Sequence, residues 1–147
     1  MKHKSKKGFT LIEVLLTMAL VAIVAWLSSP FYGRFIFSQE VSVTHDELQG
    51  SFTKAQLYSM TGKNNSEWGV AVNDGQIILF QGNSFASRDQ NFDEKFVIHS
   101  SVTISGMDEV VFARTTGGPD NQPMIAITGN GVTENITMNK EGVLETQ

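Results

Sequence analysis

The residue whose position most needs a chemical explanation is Glu13. It is the only charged residue in the otherwise uncharged, mostly apolar segment from residue 9 to residue 29. A carboxylate buried in a lipid bilayer costs roughly 2.5–3.5 kcal/mol, so such a residue is usually functional and usually has a partner. The chemistry that Glu13 offers is therefore ion pairing with a cation on the same chain or on a neighbouring one.

The remaining residue types exclude most catalytic and metal chemistry. The chain has no cysteine, which excludes disulfides, thiolate metal sites and cysteine nucleophiles. Its three histidines lack the His-x-x-x-His spacing of helical zinc sites (His3, His45 and His99). No nucleophile elbow, P-loop or dinucleotide-binding fingerprint is present. We therefore predict that the protein is not an enzyme and has no cofactor or metal site.

Two short acidic stretches are the remaining candidates for site chemistry. Asp108 and Glu109 are adjacent, and neighbours on a strand point to opposite faces, so a solvated turn explains them better than a catalytic pair. Asp120 and Asn121 lie in a loop rich in glycine and proline that lacks EF-hand spacing. Calcium binding in that loop is a minor alternative.

Length and charge indicate a basic start followed by one acidic soluble domain. The 147 residues suffice for one domain plus an anchor. The first eight residues include four lysines (Lys2, Lys4, Lys6 and Lys7), and the rest of the chain carries 7 basic and 15 acidic residues, a net charge of −8. An acidic domain is a poor electrostatic partner for nucleic acid.

The apolar segment admits a secretory signal peptide or a membrane anchor. A signal peptide has a shorter apolar region, of about 7–15 residues, and no A-x-A cleavage site precedes Pro30. A single-pass anchor fits, because about 21 residues at 1.5 Å each extend about 31 Å, and the lysines would keep their end cytoplasmic. A plain anchor leaves Glu13 unexplained.

A third interpretation rests on the string KGFTLIE, from Lys7 to Glu13. It resembles the cleavage and methylation motif of type IV prepilins and type II secretion pseudopilins. The resemblance implies that a prepilin peptidase cuts between Gly8 and Phe9 and methylates the new amino terminus of Phe9. Residues 1–8 are then a leader peptide, and Glu13 becomes the fifth residue of the mature chain.

The resemblance also supplies a partner for Glu13. The new amine on Phe9 lies one helical turn away, so the carboxylate can pair with it in the same subunit or with the amine of a neighbouring subunit. The pair between subunits would set the register of assembly. Pro30 is expected to kink the helix for packing in a filament, and the alternative is that it only ends the membrane helix.

Helical signals continue past the apolar segment. We predict a transmembrane, filament-core helix over residues 9–29 and an amphipathic continuation over residues 30–62. The apolar face of this continuation comprises Val41, Leu48, Phe52 and Ala55. Thr44 and Glu47 have the spacing of a capping box that would restart the helix after a break, and Gly62 is a stop signal.

From residue 63 the pattern changes to the short strands of a soluble β-rich head, residues 63–147. Asn73-Asp74-Gly75 predicts a tight hairpin turn. Strands are predicted at 68–72, 76–81, 95–99, 102–104, 109–114, 124–128, 132–139 and 143–145, with loops at 82–91 and 115–123. One helix followed by antiparallel strands predicts an α+β, pilin-like fold in which the helix packs on a β-sheet or sandwich.

The stretches WGVAVNDGQIILFQG and ITMNKEGVLE are similar to the head of the GspH/FimT group of minor pseudopilins and minor pilins. This resemblance implies a structural subunit of a type IV pilus-like or type II secretion pseudopilus filament. The subunit would first sit in the cytoplasmic membrane, with its N-terminus cytoplasmic and its head extracytoplasmic, and then enter a periplasmic or surface filament.

The implied partners are the prepilin peptidase/N-methyltransferase, other pilin or pseudopilin subunits, the inner-membrane assembly platform and the cytoplasmic membrane. Two alternatives remain open. One is a DNA-binding minor pilin of a natural transformation pilus, although the charge balance makes nucleic acid an unfavourable partner. The other is an anchored domain unrelated to filaments.

Overall fold

A computed structural model describes the backbone of residues 8–146 and the side chains of residues 8–26 and 39–145. The described chain contains a helix, α1 (Leu11–Met60), and a 3₁₀ turn (Lys63–Asn65). The strands that follow are β1 (Trp68–Asn73), β2 (Gln76–Gln81), β3 (Asp89–Val97), β4 (Val102–Ser105), β5 (Glu109–Phe112), β6 (Met124–Gly129), β7 (Val132–Met138) and β8 (Leu144–Thr146). This order confirms the predicted α+β, pilin-like fold.

The chain divides into two compact units, Met1–Ile36 and Phe37–Gln147. In the first unit, every side chain of α1 from residue 11 to residue 26 is exposed. Over the part of the chain that the structure describes, no helix is long and apolar enough to cross a membrane. The side chain of Pro30 lies outside the described residues, but α1 continues through position 30, so the alternative that this proline ends the helix is wrong.

In the second unit, α1 supplies one wall of the head's core through the four residues that the sequence predicts. Val41, Leu48, Phe52 and Ala55 are 0–2% exposed. The helix does not restart at Thr44, because α1 runs on through this position and the Thr44 hydroxyl donates to the Glu40 carbonyl (2.8 Å).

The end of α1 is fixed by a glycine and by a buried serine. Gly62 has φ 64°, a left-handed conformation that only glycine adopts without steric cost, and this confirms the predicted stop. One turn earlier, the buried Ser59 hydroxyl accepts the backbone N–H of Trp68 (2.9 Å). The Ser59 side chain therefore links the last turn of α1 to β1.

The head is built from two four-stranded antiparallel sheets, with strand orders β3-β2-β1-β5 and β4-β6-β7-β8. The β1–β2 hairpin closes where Asn73 pairs with Gln76. The two residues between them, Asp74 and Gly75, have φ of 49° and 69°. These positive values are those of a type I′ turn, which matches the twist of the flanking strands.

One apolar core joins α1 to both sheets. Besides the helix residues, its fully buried members include Trp68, Val70, Ile77 and Leu79 from the first sheet and Ile125, Ile127 and Ile136 from the second. Burying a side chain of this size contributes roughly 1.5–3 kcal/mol. The position of α1 in the head therefore depends on contacts with both sheets.

A second, smaller cluster covers the other face of the first sheet. It contains Ala71, Ile78, Phe80 and Val111, and Phe85 packs against it from the segment after β2. The rings of Phe80 and Phe85 meet edge to face at 5.7 Å. Gly69 makes room for this packing, since a Cβ there would lie 2.6 Å from Phe80 Cζ.

The start of β3 differs from the sequence prediction. The strand begins at Asp89, six residues before the predicted start and inside the predicted loop. Its first residues, DQNFDEK, are too polar to show the alternation that identifies a strand. They pair with β2 in an irregular register, and the Arg88–Asp93 ion pair (3.0 Å) stabilises this edge of the sheet.

Lys54 links α1 to β3 through an ion pair with Glu94. The hydrogen bond to Glu94 raises the pKa of Lys54 above its ordinary value of 10.5. Because the folded-state pKa is raised, the stabilisation is fully present below pH 10.5 and is lost as the pH rises through the higher folded-state value. The Lys54 side chain is 39% exposed, so its ion pair with Glu94 contributes to the stability of the fold only as a surface ion pair does.

We predict that Leu48→Ala lowers the free energy of unfolding by about 2–5 kcal/mol, because it leaves a cavity between α1 and the sheets. Leu57→Ala is the matched control, since this leucine lies on the same helix and is 55% exposed. Its effect is expected to stay within about 0.5 kcal/mol. Thermal and denaturant unfolding of the full chain in detergent measures both variants, and equal losses would contradict the assigned helix face.

We also predict that the wild-type chain loses stability relative to Lys54→Arg as the pH rises from about 9 to 11.5, since arginine keeps its charge over this range. The measurement is the difference between the two thermal midpoints at each pH. If the difference between the two thermal midpoints did not change with pH, this result would contradict a contribution of the Lys54–Glu94 ion pair to stability.

Candidate functional site

The predicted cleavage bond lies just before the helix. Residues 8–10 have no regular secondary structure, and α1 begins at Leu11. Thr10 caps the helix, since its hydroxyl oxygen accepts the backbone N–H of Glu13 (3.3 Å). The Gly8–Phe9 bond is therefore in non-helical chain, where a peptidase can bind the backbone in an extended conformation.

The two residues on either side of this bond have few contacts. Phe9 is 84% exposed, and a Cβ added to Gly8 would meet no atom within 4 Å. Within the part of the chain that the structure describes, the fold thus places no constraint on Gly8. A requirement for glycine at this position would have to come from a processing enzyme.

Glu13 lies in the first turn of α1, four residues after Phe9, and is exposed. Its carboxylate is near the positive end of the helix dipole, a position that favours an anion. Among the described residues it forms no ion pair. In the uncut chain the nitrogen of Phe9 is an uncharged amide, so the pairing predicted from the sequence requires prior cleavage.

The sequence also contains a signal for the start of α1, which the interpretation of Glu13 as an ion-pairing residue does not use. Thr10 and Glu13 have the spacing of a capping box, in which a hydroxyl and a carboxylate three residues apart define the start of a helix. The structure forms the hydroxyl half of this box. The helix boundary two residues after the predicted cleavage bond could therefore have been read from the residue types.

Beyond the first turn, the exposed surface of α1 is apolar up to Trp26. A shallow groove is lined by Thr17, Met18, Val21, Ala22 and Ala25. The single hydroxyl in the groove is satisfied within the helix, because Thr17 donates to the Val14 carbonyl (2.9 Å). This surface therefore offers other molecules apolar contacts rather than hydrogen bonds.

A cluster that the sequence does not reveal brings Glu40, His99 and Ser101 together. Ser101 Oγ lies 2.8 Å from His99 Nδ1 and donates to the Glu40 carboxylate, which is itself 3.5 Å from the same imidazole nitrogen. A serine-protease-type triad uses the two nitrogens of the ring for the serine and the acid separately. The observed geometry instead ties α1 to the segment between β3 and β4.

The acidic stretches considered above hold the head's loops in place. Glu109 accepts the backbone N–H of Phe85 (2.5 Å), and Asp120 accepts that of Val111 (2.9 Å). Asn121 donates to the Glu109 carbonyl (3.1 Å). Within the described part of the chain, no three acidic or histidine side chains are grouped as metal ligands.

Most basic side chains of the head also have partners within the fold. Lys54 pairs with Glu94 and Arg88 with Asp93, while Arg114 donates to Asn65. Lys63 Nζ lies 3.4 Å from the centre of the Tyr58 ring. These contacts leave little unpaired positive charge on the head for an anionic partner.

Comparison with known proteins adds two findings. Residues 3–29 match the family model described as the prokaryotic N-terminal methylation motif. The chain is also similar to the type IV major fimbrial protein FimA of Dichelobacter nodosus, with 27% identity over 88 residues. That alignment covers 60% of this chain and 55% of the fimbrial protein, so the chain matches only about half the length of this relative. No solved structure matches the chain.

The methylation motif covers the whole segment around the predicted cleavage bond, and the fold joins a long N-terminal helix to antiparallel sheets. The motif, this fold and the similarity to a fimbrial protein together support the assignment of the chain to the type IV pilin family.

Proposed function

We propose that the protein is a minor pilin or pseudopilin that is cut between Gly8 and Phe9, methylated on Phe9, and assembled through α1 into a filament. The observation that carries this proposal is the placement of the motif. The Gly8–Phe9 bond, within the matched motif, lies in non-helical chain directly before a helix whose surface from residue 11 to residue 26 is exposed and almost entirely apolar. Such a surface needs a covering, first by lipid and then by other subunits.

The first step, cleavage and methylation, is carried out by a prepilin peptidase with N-methyltransferase activity at the cytoplasmic membrane. Hydrolysis of the Gly8–Phe9 bond releases the lysine-rich leader and creates a cationic amine on Phe9. Removal of the leader also removes four positive charges that favour retention on the cytoplasmic side. Processing therefore changes both the charge and the chemistry of the helix terminus.

The second step is assembly with other pilin or pseudopilin subunits by an inner-membrane platform. The new amine of one subunit and Glu13 of its neighbour form an ion pair in an apolar environment, where an unpaired charge is strongly unfavourable. Because only a subunit at the correct height along the filament pairs both charges, this interaction selects the register. Pro30 is proposed to adapt the helix to packing in the filament.

For the machine that the subunit serves, we propose the GspH/FimT type of minor subunit, on the basis of the hairpin β1–β2 and the final turn before β8. A DNA-capturing role is less favoured, because residues 30–147 contain 14 acidic and 7 basic residues and most of the basic side chains are engaged within the fold. Salt-sensitive binding of duplex DNA by the full chain in detergent would contradict this preference.

We predict that Glu13→Ala and Glu13→Gln are cleaved and methylated normally but enter filaments at least about tenfold less than the wild-type chain, since both remove the charge that pairs with the amine. Glu141→Ala is the control, because Glu141 is exposed and, among the described residues, its hydrogen bonds to Gln56 and Asn139 are made by backbone atoms. Processing is read from the intact mass of the membrane-extracted chain, and incorporation from the sheared filament fraction. Normal incorporation of Glu13→Gln would contradict the pairing.

The type of machine is tested by a clean deletion, scored for surface fibres by electron microscopy and for the secreted proteins in parallel. Loss of fibres with secretion unchanged is the result expected of a pilus priming or tip subunit. Intact fibres with exoproteins retained in the cell are expected of a secretion pseudopilin. An unchanged strain in both assays would contradict both forms of the proposal.

A further inference from the structure

Gly50 occupies a position in α1 that its own fold does not explain. Glycine is among the poorest residues in a helix interior, because it gains no side-chain contacts and loses the most backbone freedom. A Cβ built at Gly50 meets no atom within 4 Å, so nothing within the described chain requires its absence. Within the described residues, the fold therefore gives no steric reason for a glycine at this position.

The helix geometry places Gly50 on the side of α1 that faces away from the core. Val41 and Ser59 are each nine residues away, which at about 100° per residue puts them on the opposite side of the helix. Both are buried, at 2% and 0% exposure. Gly50 itself is exposed.

Large apolar residues flank the glycine along the same line. Val43 and Leu57 lie seven residues before and after it, nearly in line because seven residues complete almost two turns. Val43 and Leu57 are 54% and 55% exposed. The face of a helix that meets solvent normally carries polar or charged residues, so two large apolar side chains there need an explanation. We name Val43, Gly50 and Leu57 the outer stripe of α1.

Charge beside the outer stripe limits what can pack there. Asp46 and Glu47 are one turn before Gly50, on either side of the stripe, and no ion pair among the described side chains includes either of them; Lys54, one turn after Gly50, is paired with Glu94. A partner that covers the stripe must therefore supply positive charge next to these carboxylates. A lipid surface with anionic headgroups would be repelled at this point.

We propose that the outer stripe is the contact surface for an α-helix of a neighbouring filament subunit, which approaches α1 most closely at Gly50 and carries a basic side chain beside Asp46 and Glu47. A missing Cβ lets two helix backbones come closer than side chains normally allow, and the flanking Val43 and Leu57 then pack on either side of the crossing point. This inference rests on the proposed function as a filament subunit.

The test compares two variants that introduce the same side chain at adjacent exposed positions. Gly50→Leu fills the point of closest approach, while Gln49→Leu adds the same leucine about 100° away around the helix. Because leucine is a better helix former than glycine, Gly50→Leu is expected to unfold at the same or a higher temperature than the wild-type chain in detergent. Its incorporation into sheared filaments is expected to fall about tenfold or more, with Gln49→Leu close to wild type.

A third variant tests the charge requirement. Asp46→Asn combined with Glu47→Gln preserves side-chain size and removes both charges, and incorporation is expected to fall and to lose part of its dependence on salt. Wild-type incorporation of both Gly50→Leu and this double variant would overturn the inference, as would an equal loss in Gln49→Leu. Absence of the wild-type chain from filaments would instead overturn the proposed function, and the inference with it.

Discussion

The proposed function of this protein depends on the cost of placing one carboxylate in an apolar helix. Glu13 lies in the first turn of α1, and the chain beyond it is uncharged up to residue 29. Such a group is tolerated only if it is solvated or paired. The described chain offers it no ion-pair partner, and cleavage after Gly8 would create an amine on Phe9 that can pair with Glu13 of a neighbouring subunit. In the proposed function, processing and assembly are therefore coupled by electrostatics, because the cut would supply the cation that makes burial of the helix acceptable.

Helix α1 has one face that is buried in the head and one face that is exposed. On one side, Val41, Leu48, Phe52 and Ala55 complete a core shared with both sheets, and Ser59 fixes the last turn to β1. On the other side, the outer stripe is exposed, and among the described residues no atom lies within 4 Å of a Cβ built at its glycine. The buried face holds the head together, and we propose that the exposed face contacts other subunits. Substitutions on the two faces are therefore expected to separate stability from assembly.

Residue types predicted the fold well wherever local chemistry and packing agreed. The apolar face of α1, the stop at Gly62 and the type I′ turn at Asp74-Gly75 all follow from spacing or from conformations that few residues adopt. The start of β3 could not be predicted, because a polar edge strand is defined by its pairing with β2 rather than by its own sequence. The Glu40–His99–Ser101 cluster was also hidden, since its members are up to 61 positions apart and meet only in the folded chain. At the N-terminus, the sequence contains both the cleavage motif and the Thr10–Glu13 spacing of a capping box, and the hydrogen bond that Thr10 accepts shows that this spacing caps the helix.

The most direct test of the central claim is the identity of the chain's first residue inside a filament. Filaments or pseudopili sheared from cells would be digested, and the N-terminal peptide sequenced by mass spectrometry. The account predicts a peptide that begins at Phe9 and carries one methyl group on its amine, with no leader peptide detected. A chain in that fraction that still begins at Met1, or a processed chain found only in the membrane, would contradict the coupling of cleavage to assembly.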